Sequence, residues 1–242
     1  THGHRICNSE GCNMIRNRRI LAVVPARGGS KEILLKNLRS VLGVPMVARV
    51  GELVRALPMI DRAVVSTDHD EIARVAEAAG IAAPFRRPAD ISGDRIADWD
   101  VLVHALGEIE RSDGVTYDII IMLQPTSPLR RPEHVRATIE MLVEDNWDAV
   151  WTLSETDSKN HPLKQLRIED GCLDYYDSSG NTIVARQQLK PVYHRNGVAY
   201  AITRECLLKQ CSIKGTRTGG LVLDGQFVSI DTEWDITLVE SI

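Results

Sequence analysis

Ile20-Leu21-Ala22-Val23-Val24-Pro25-Ala26-Arg27-Gly28-Gly29-Ser30-Lys31 joins an unbroken apolar run to a glycine-rich cationic turn, and that junction decides the fold. A strand with one wet face alternates apolar and polar residues, so a continuous run is the pattern of a parallel strand buried on both faces. Pro25 and the glycine pair end it. In the turn, glycines let backbone N–H groups approach an anion, and Arg27 and Lys31 supply positive charge. Residues Ala26 to Lys31 therefore fit a triphosphate cradle, and they equally fit a plain Gly-Gly turn. The spacing matches neither the G-x-x-x-x-G-K-[ST] phosphate loop nor the dinucleotide-binding G-x-G-x-x-G, which disfavours both of those nucleotide folds.

Outward from this strand, helical and strand patterns alternate. Met46 to Leu57 has helical spacing, Ala63 to Val65 reads as a strand, and Thr67 or Asp68 is placed to cap the helix over residues 71–80. Val101, Leu102, Ala105, Leu106 and Ile109 recur at helical spacing within a helix from Asp98, and Asp118 to Leu123 is a second fully apolar strand. Pro132 suits the first turn of a helix whose Val135, Ile139, Leu142 and Val143 share a face, and Ala149 to Leu153 returns as a strand. Repeated right-handed βαβ units predict an α/β fold with a doubly wound, mostly parallel sheet and ligands at the carboxyl ends of its strands.

After Ser154 the texture turns polar. A hairpin is expected at Glu169-Asp170-Gly171, between the runs 163–168 and 172–176. Strand character resumes over Asn196 to Ile202, followed by a short helix over Glu205 to Gln210 and a terminal helix over Thr232 to Glu240. The expected organisation is thus a tail over residues 1–17, an α/β domain over 18–153 and 196–242, and an excursion over 154–195.

With 242 residues, 43% of them hydrophobic, the chain can bury one substantial core. A formal net charge of -4 gives no basic footprint for nucleic acid, which points to a small-molecule partner. No apolar run approaches the roughly 20 residues of a membrane span, and the N-terminus lacks the apolar core of a secretion signal, so no membrane partner and a cytoplasmic location are expected. Cys7, Cys12, Cys172, Cys206 and Cys211 form an odd set with no disulfide framework, which suits a reducing compartment. His2, His4, Cys7 and Cys12 match no standard zinc spacing.

Seven strings in order, VVPARGGSKEILLKNL (23–38), STDHDEIARVAEAAG (66–80), LQPTSPLR (123–130), NHPLKQL (160–166), ARQQL (185–189), NGVAY (196–200) and SIDTEWD (229–235), resemble the acylneuraminate cytidylyltransferases. The resemblance spans nearly all of the chain after Met14. It implies a nucleotide-diphospho-sugar transferase type of fold with the excursion reaching across a homodimer. It also implies an in-line displacement: the anomeric hydroxyl of a nine-carbon acidic sugar, a nonulosonic acid such as N-acetylneuraminate, attacks the α-phosphate of CTP to give a CMP-sugar and pyrophosphate, assisted by Mg²⁺. Such transfers need positioning and charge neutralisation rather than a nucleophilic side chain.

By the same resemblance Arg27, Lys36 and Asp231 are the catalytic residues and Asp231 the metal ligand. Ala26, Arg27, Gly28, Gly29, Ser30, Lys31, Asn37 and Arg87 bind the nucleotide. Gln124, Lys164, Arg186, Arg195, Asn196 and Tyr200 bind the acid, whose carboxylate explains a cationic rim. Read without the resemblance, Asp231 is a helix cap, Gln124 and Ser127 organise a turn, and Lys164, Arg186 and Arg195 are solvated charges.

The chain also departs from the pattern. Glu32 replaces glycine, Leu34 replaces proline, and Ser229 replaces the first aspartate of a D-x-D pair. A carboxylate about 5 Å from a phosphate would cost on the order of a few kcal/mol. His194-Arg195 stands where an arginine precedes another residue, so either can inherit the role of facing the sugar. Residues 209–219 lack aromatics for an acyl pocket. The alternatives are therefore a cytidylyltransferase for another acid, such as a deaminated or modified nonulosonate or a phosphonate, and a catalytically silent nucleotide- or sugar-binding homologue.

Overall fold

In the computed structural model, which describes residues 15 and 17–242, the apolar run becomes β1 (Ile20–Pro25). Ile20 to Val24 are fully buried: the strand lies between two parallel neighbours, β4 (Arg62–Ser66) and β5 (Ile119–Met122), and helices cover both of its faces. Its side chains alternate between two cores: Ile20, Ala22 and Val24 enter one, Leu21 and Val23 the other. Most of the expected tail, with His2, His4, Cys7 and Cys12, lies outside the described residues. Among the described residues no helix is long and apolar enough to cross a membrane.

A six-stranded sheet runs in the order β10-β6-β9-β5-β1-β4, where β6 is Ala149–Glu155, β9 is Tyr193–Thr203 and β10 is Thr218–Val222. β10 pairs parallel to β6, and β9 alone runs antiparallel, between β5 and β6. Helices α1 (Met46–Arg55), α2 (Asp70–Ala78) and α4 (Pro132–Glu144) supply Val47, Val50, Ile72, Val135 and Ile139 to one core. On the other side, α3 (Asp98–Asp113) and α5 (Arg204–Lys209) supply Leu102, Leu106, Cys206 and Leu207.

β10 was absent from the sequence reading because Gly219-Gly220 looks like a breaker. A Cβ on Gly219 would come within 2.9 Å of Trp147 Nε1, so the missing side chain is what lets the edge strand lie against that ring. Caps also differ from expectation. His69 caps α2, its Nδ1 accepting from the Glu71 N–H at 3.2 Å, while Thr67 Oγ1 accepts the His69 N–H and Asp68 turns away to the Gly28 N–H. Thr232 caps α6 (Glu233–Glu240), exchanging bonds with Asp235, and leaves the Asp231 carboxylate out of the cap.

A third cluster joins Ile33, Val41, Met46, Ile230, Ile236 and Val239, tying the segment after β1 to α6. Small ladders complete the chain: β2 (Ser40–Val41) with β3 (Val44–Pro45), and β7 (Leu166–Glu169) with β8 (Cys172–Tyr175). The β7–β8 turn has both Asp170 and Gly171 at positive φ, 50° and 79°, as a two-residue hairpin requires. β6 and β9 stay paired out to Glu155 and Tyr193, and the hairpin between them pairs with no strand of the main sheet.

Candidate active site

At the carboxyl ends of β1, β4 and β5 opens a cavity of about 310 Å³. It gathers Arg27, Ser30, Lys36, Asn37, Arg87, Gln124 and Asp231, side chains up to 204 positions apart in sequence. The turn after β1 is anchored from below. The Gly28 N–H donates to Asp68 Oδ1 at 2.8 Å, and buried Asn37 donates from Nδ2 to the Arg27 carbonyl at 2.9 Å. Gly29 lies open beside it, and Ala26 is fully buried.

The sequence reading missed Asp94, which takes ion pairs from both Lys31 and Arg27. Those two cations hold its carboxyl below the usual carboxylate range. Lys36 Nζ donates to Asp231 Oδ1 at 2.8 Å, a contact that the Ile33–Ile230 cluster brings about. Ile33 is buried while Glu32 and Leu34 on either side are exposed, Leu34 by 81%, and neither lines the cavity. The extra carboxylate of Glu32 is thereby kept off the cavity wall.

Arg87 is 6% exposed, donates from Nη2 to the Ser66 carbonyl at 3.0 Å, and leaves Nε without a partner. Burial lowers its pKa. Asp98, in the first turn of α3, also lines the cavity, and burial raises its carboxyl pKa against the pull of Arg195 and Arg87. Arg130 bolts the Gln124 turn to β9, donating to the Gln124, Gly197 and Val198 carbonyls, and burial draws its guanidinium down to about 9. Ser127 Oγ donates to Gly197 O at 2.8 Å, so this serine organises the turn while the Gln124 side chain faces the cavity.

β9 bends here. Thr152 Oγ1 donates to Asn196 Oδ1 at 2.7 Å and accepts from the Ala199 N–H at 2.9 Å, replacing ladder bonds across a register shift. Gly197 takes φ 73° with Ser127 Oγ only 2.7 Å from where a Cβ would stand. Asn196 is 5% exposed, with its carboxamide engaged by Thr152, Val198 and Ser154. Tyr200 is buried with its ring edge on Trp151, and burial raises its hydroxyl pKa. His194 Nδ1 bonds Thr156 Oγ1 at 2.9 Å, whereas Arg195 lies 5.3 Å over the Trp151 ring. Of the residues expected to bind the acid, only Gln124 lines this cavity; Lys164, Arg195, Asn196 and Tyr200 do not, and Arg186 lines a second one, of about 370 Å³, at the base of the excursion.

Among the described residues no group of three or more His, Cys, Asp and Glu side chains could hold a metal ion by itself. Mg²⁺, however, binds through one or two carboxylates with substrate phosphates supplying other ligands. Asp231, in a cavity rimmed by cations suited to phosphates, fits an ion held in that way.

A family model described as Cytidylyltransferase matches residues 21–238. The CMP-N,N'-diacetyllegionaminic acid synthase of Legionella pneumophila is 30% identical over 93% of this chain and 96% of its own length. An N-acylneuraminate cytidylyltransferase of Streptococcus agalactiae is 27% identical over 89% of this chain, which spans 51% of that relative. The solved structure of CMP:2-keto-3-deoxy-manno-octonic acid synthetase complexed with CTP, 20% identical, superposes with a TM-score of 0.66 over 92% of this chain and 97% of that one, and so shares the fold. The chain belongs to the acylneuraminate cytidylyltransferase family of nucleotidyltransferase enzymes.

Proposed function

We propose that this enzyme joins CTP to a nine-carbon nonulosonic acid, N-acetylneuraminate or a close relative, releasing pyrophosphate and a CMP-sugar. The observation that carries this reading is the meeting of Arg27, Lys36, Arg87 and Asp231 in one cavity at the carboxyl ends of parallel strands.

The anomeric oxygen forms its bond to the α-phosphorus as the bond from that phosphorus to the bridging oxygen breaks, and the hydroxyl proton passes to solvent. Arg27, Ser30, Lys31 and the open Gly29 backbone face the outgoing phosphates, while Asp68 holds the Gly28 N–H. Lys36 stands at the α-phosphate, where charge builds, and Asn37 and Arg87 at the nucleoside. A Mg²⁺ ion on Asp231 would supply charge neutralisation at the phosphates. Gln124 and Arg195 face the acid, while Asn196 and Tyr200 brace the strand that presents them.

Lys164 and Arg186 serve the acid from the excursion of a second copy, making the enzyme a homodimer. Support comes from their distance from the cavity and from Leu166, Ile168, Leu173, Tyr176 and Val184, all exposed on that excursion, Val184 by 88%. The reaction is placed in the cytoplasm, where CTP is available.

The test is pyrophosphate release from CTP and Mg²⁺ with N-acetylneuraminate, its deaminated analogue, a diacetyllegionaminic acid and an eight-carbon ulosonic acid, beside a control lacking acid. Release that depends on a nine-carbon acid is expected, and the preferred acid names the substrate. CTP binding without release in any arm would favour the silent homologue.

A further inference from the structure

Lys164 and Arg186 stand on opposite limbs of the excursion. Lys164 ends one 3₁₀ turn, Pro162–Lys164, Arg186 begins another, Arg186–Gln188, and both side chains are exposed. Two cations that serve one small anion must be held at a set spacing, and exposed side chains on separate turns do not set it themselves.

A single side chain joins the two limbs. His161 is 5% exposed. Its Nδ1 accepts the Leu163 N–H at 3.2 Å and so caps the turn that ends at Lys164. Its Nε2 bonds the Lys190 carbonyl at 3.1 Å, just beyond the Arg186 turn and 29 positions along the chain. A carbonyl only accepts, so Nε2 carries the proton and Nδ1 the lone pair, and the two partners together fix one neutral tautomer.

Capping alone would be a local matter, since His69 and His134 also accept backbone N–H groups through Nδ1. Among the described residues neither of those rings hydrogen-bonds a second segment, whereas His161 spans two. At the neck of the excursion the Thr156 N–H donates to the Val192 carbonyl at 2.9 Å. Beyond that pair, the bond from His161 to Lys190 is the only hydrogen bond among the described residues that ties residues 157–165 to residues 183–191. Gly180 brings bare backbone against the Lys164 turn, a Cβ there falling 2.4 Å from the Leu163 carbonyl. His161 also lines the second cavity, with Glu155 and Asp157 from its own limb and Arg186 and Lys190 from the other.

We propose that His161 is a positioning residue: it locks the limb of Lys164 to the limb of Arg186 and sets the spacing at which the two cations meet the acceptor acid. The inference rests on the cytidylyl-transfer reading above and deepens it by naming what orders the acid half, while His161 itself touches no substrate.

Pyrophosphate release, with KM measured separately for the acid and for CTP, tests it. His161→Ala should raise KM for the acid about tenfold and leave KM for CTP unchanged, the second result showing that the variant is folded. Asparagine and glutamine separate the two bonds, an asparagine carbonyl standing in for Nδ1 and a glutamine amide for Nε2. His161→Gln, which still reaches Lys190, should recover most of the loss, and His161→Asn, which keeps only the cap, should recover little. In an Arg186→Ala background His161→Ala should add less than about twofold, because one of the two cations it spaces is gone. Equal effects of His161→Ala in the two backgrounds would show packing alone and overturn the proposal, as would a KM for CTP that rises with that for the acid. Were the parent enzyme to release no pyrophosphate with any acid, the cytidylyl-transfer reading and the proposal would fall together; release by the parent with His161→Ala indifferent would end the proposal alone.

Discussion

The turn after β1 and the excursion between β6 and β9 each carry cations expected at the substrates, yet they hold them in opposite ways. Around the turn each charge is answered from inside the same chain: Asp94 for Arg27 and Lys31, Asp231 for Lys36, and Asp68 for the Gly28 amide. On the excursion Lys164 and Arg186 have no ion pair among the described residues and stand beside exposed apolar side chains. On the proposed reading, the difference means that the nucleotide half of the site is preorganised within one copy, whereas the acid half would be completed by a second.

The largest expected effect breaks the self-contained half. Lys36→Ala removes a charge at the α-phosphate and should lower kcat/KM by about 100- to 1,000-fold, read by pyrophosphate release. A loss below about threefold would remove Lys36 from the chemistry. Arg186→Ala comes next: KM for the acid should rise by about tenfold with KM for CTP unmoved. A matching rise for CTP would erase the distinction between the halves.

Asp94→Asn sharpens the comparison. If Asp94 occupies the anion's place while the cavity is empty, inorganic tripolyphosphate should bind about threefold more tightly to the variant at low salt, the gain fading as salt rises. Weaker binding would make Asp94 an organiser of Arg27 and Lys31 instead. Calorimetric titration reads either result.

The smallest effect lies at the end of α3 far from Asp98. Arg204 grips Glu110 through two bonds, Nε to Oε1 at 2.9 Å and a terminal nitrogen to Oε2 at 3.0 Å, and holds its carboxyl below the usual range. A depressed carboxylate stabilises the fold above its unfolded-state pKa, and the contribution is lost as pH falls through the lowered folded value. Glu110→Gln should therefore cost about 0.5–1 kcal/mol near neutral pH, with the difference from the parent closing below about pH 4 and turnover unaffected. Denaturant midpoints across pH check it.

Strand identity was legible wherever burial is two-sided: Ile20 to Val24 and Ile119 to Met122 announce themselves because no residue in either needs water. The direction of β9 was not, since a reversed strand buried on both faces carries the same apolar signature as a parallel one. Cap identity failed at α2 because His69, Asp68 and Thr67 all offer acceptors and only tertiary demand from the Gly28 amide decides among them. In the site, the glycine-rich turn and Asp231 were visible as motifs. Asp94 was not, because nothing local marks a carboxylate that answers cations 63 and 67 positions away. Nor could sequence show that burying Ile33 would turn Glu32 outward.

The most direct test of a site assembled from two halves is complementation. Lys36→Ala and Arg186→Ala chains, each impaired alone, are unfolded together, refolded as a mixture and assayed for acid-dependent pyrophosphate release. If Arg186 serves the cavity of a second copy, mixed dimers contain one site with both residues intact, and activity should return to about a quarter of the parent's. Activity no higher than the mean of the two separate variants, in a mixture shown to contain mixed dimers, would contradict it and return the acid-binding residues to a single chain.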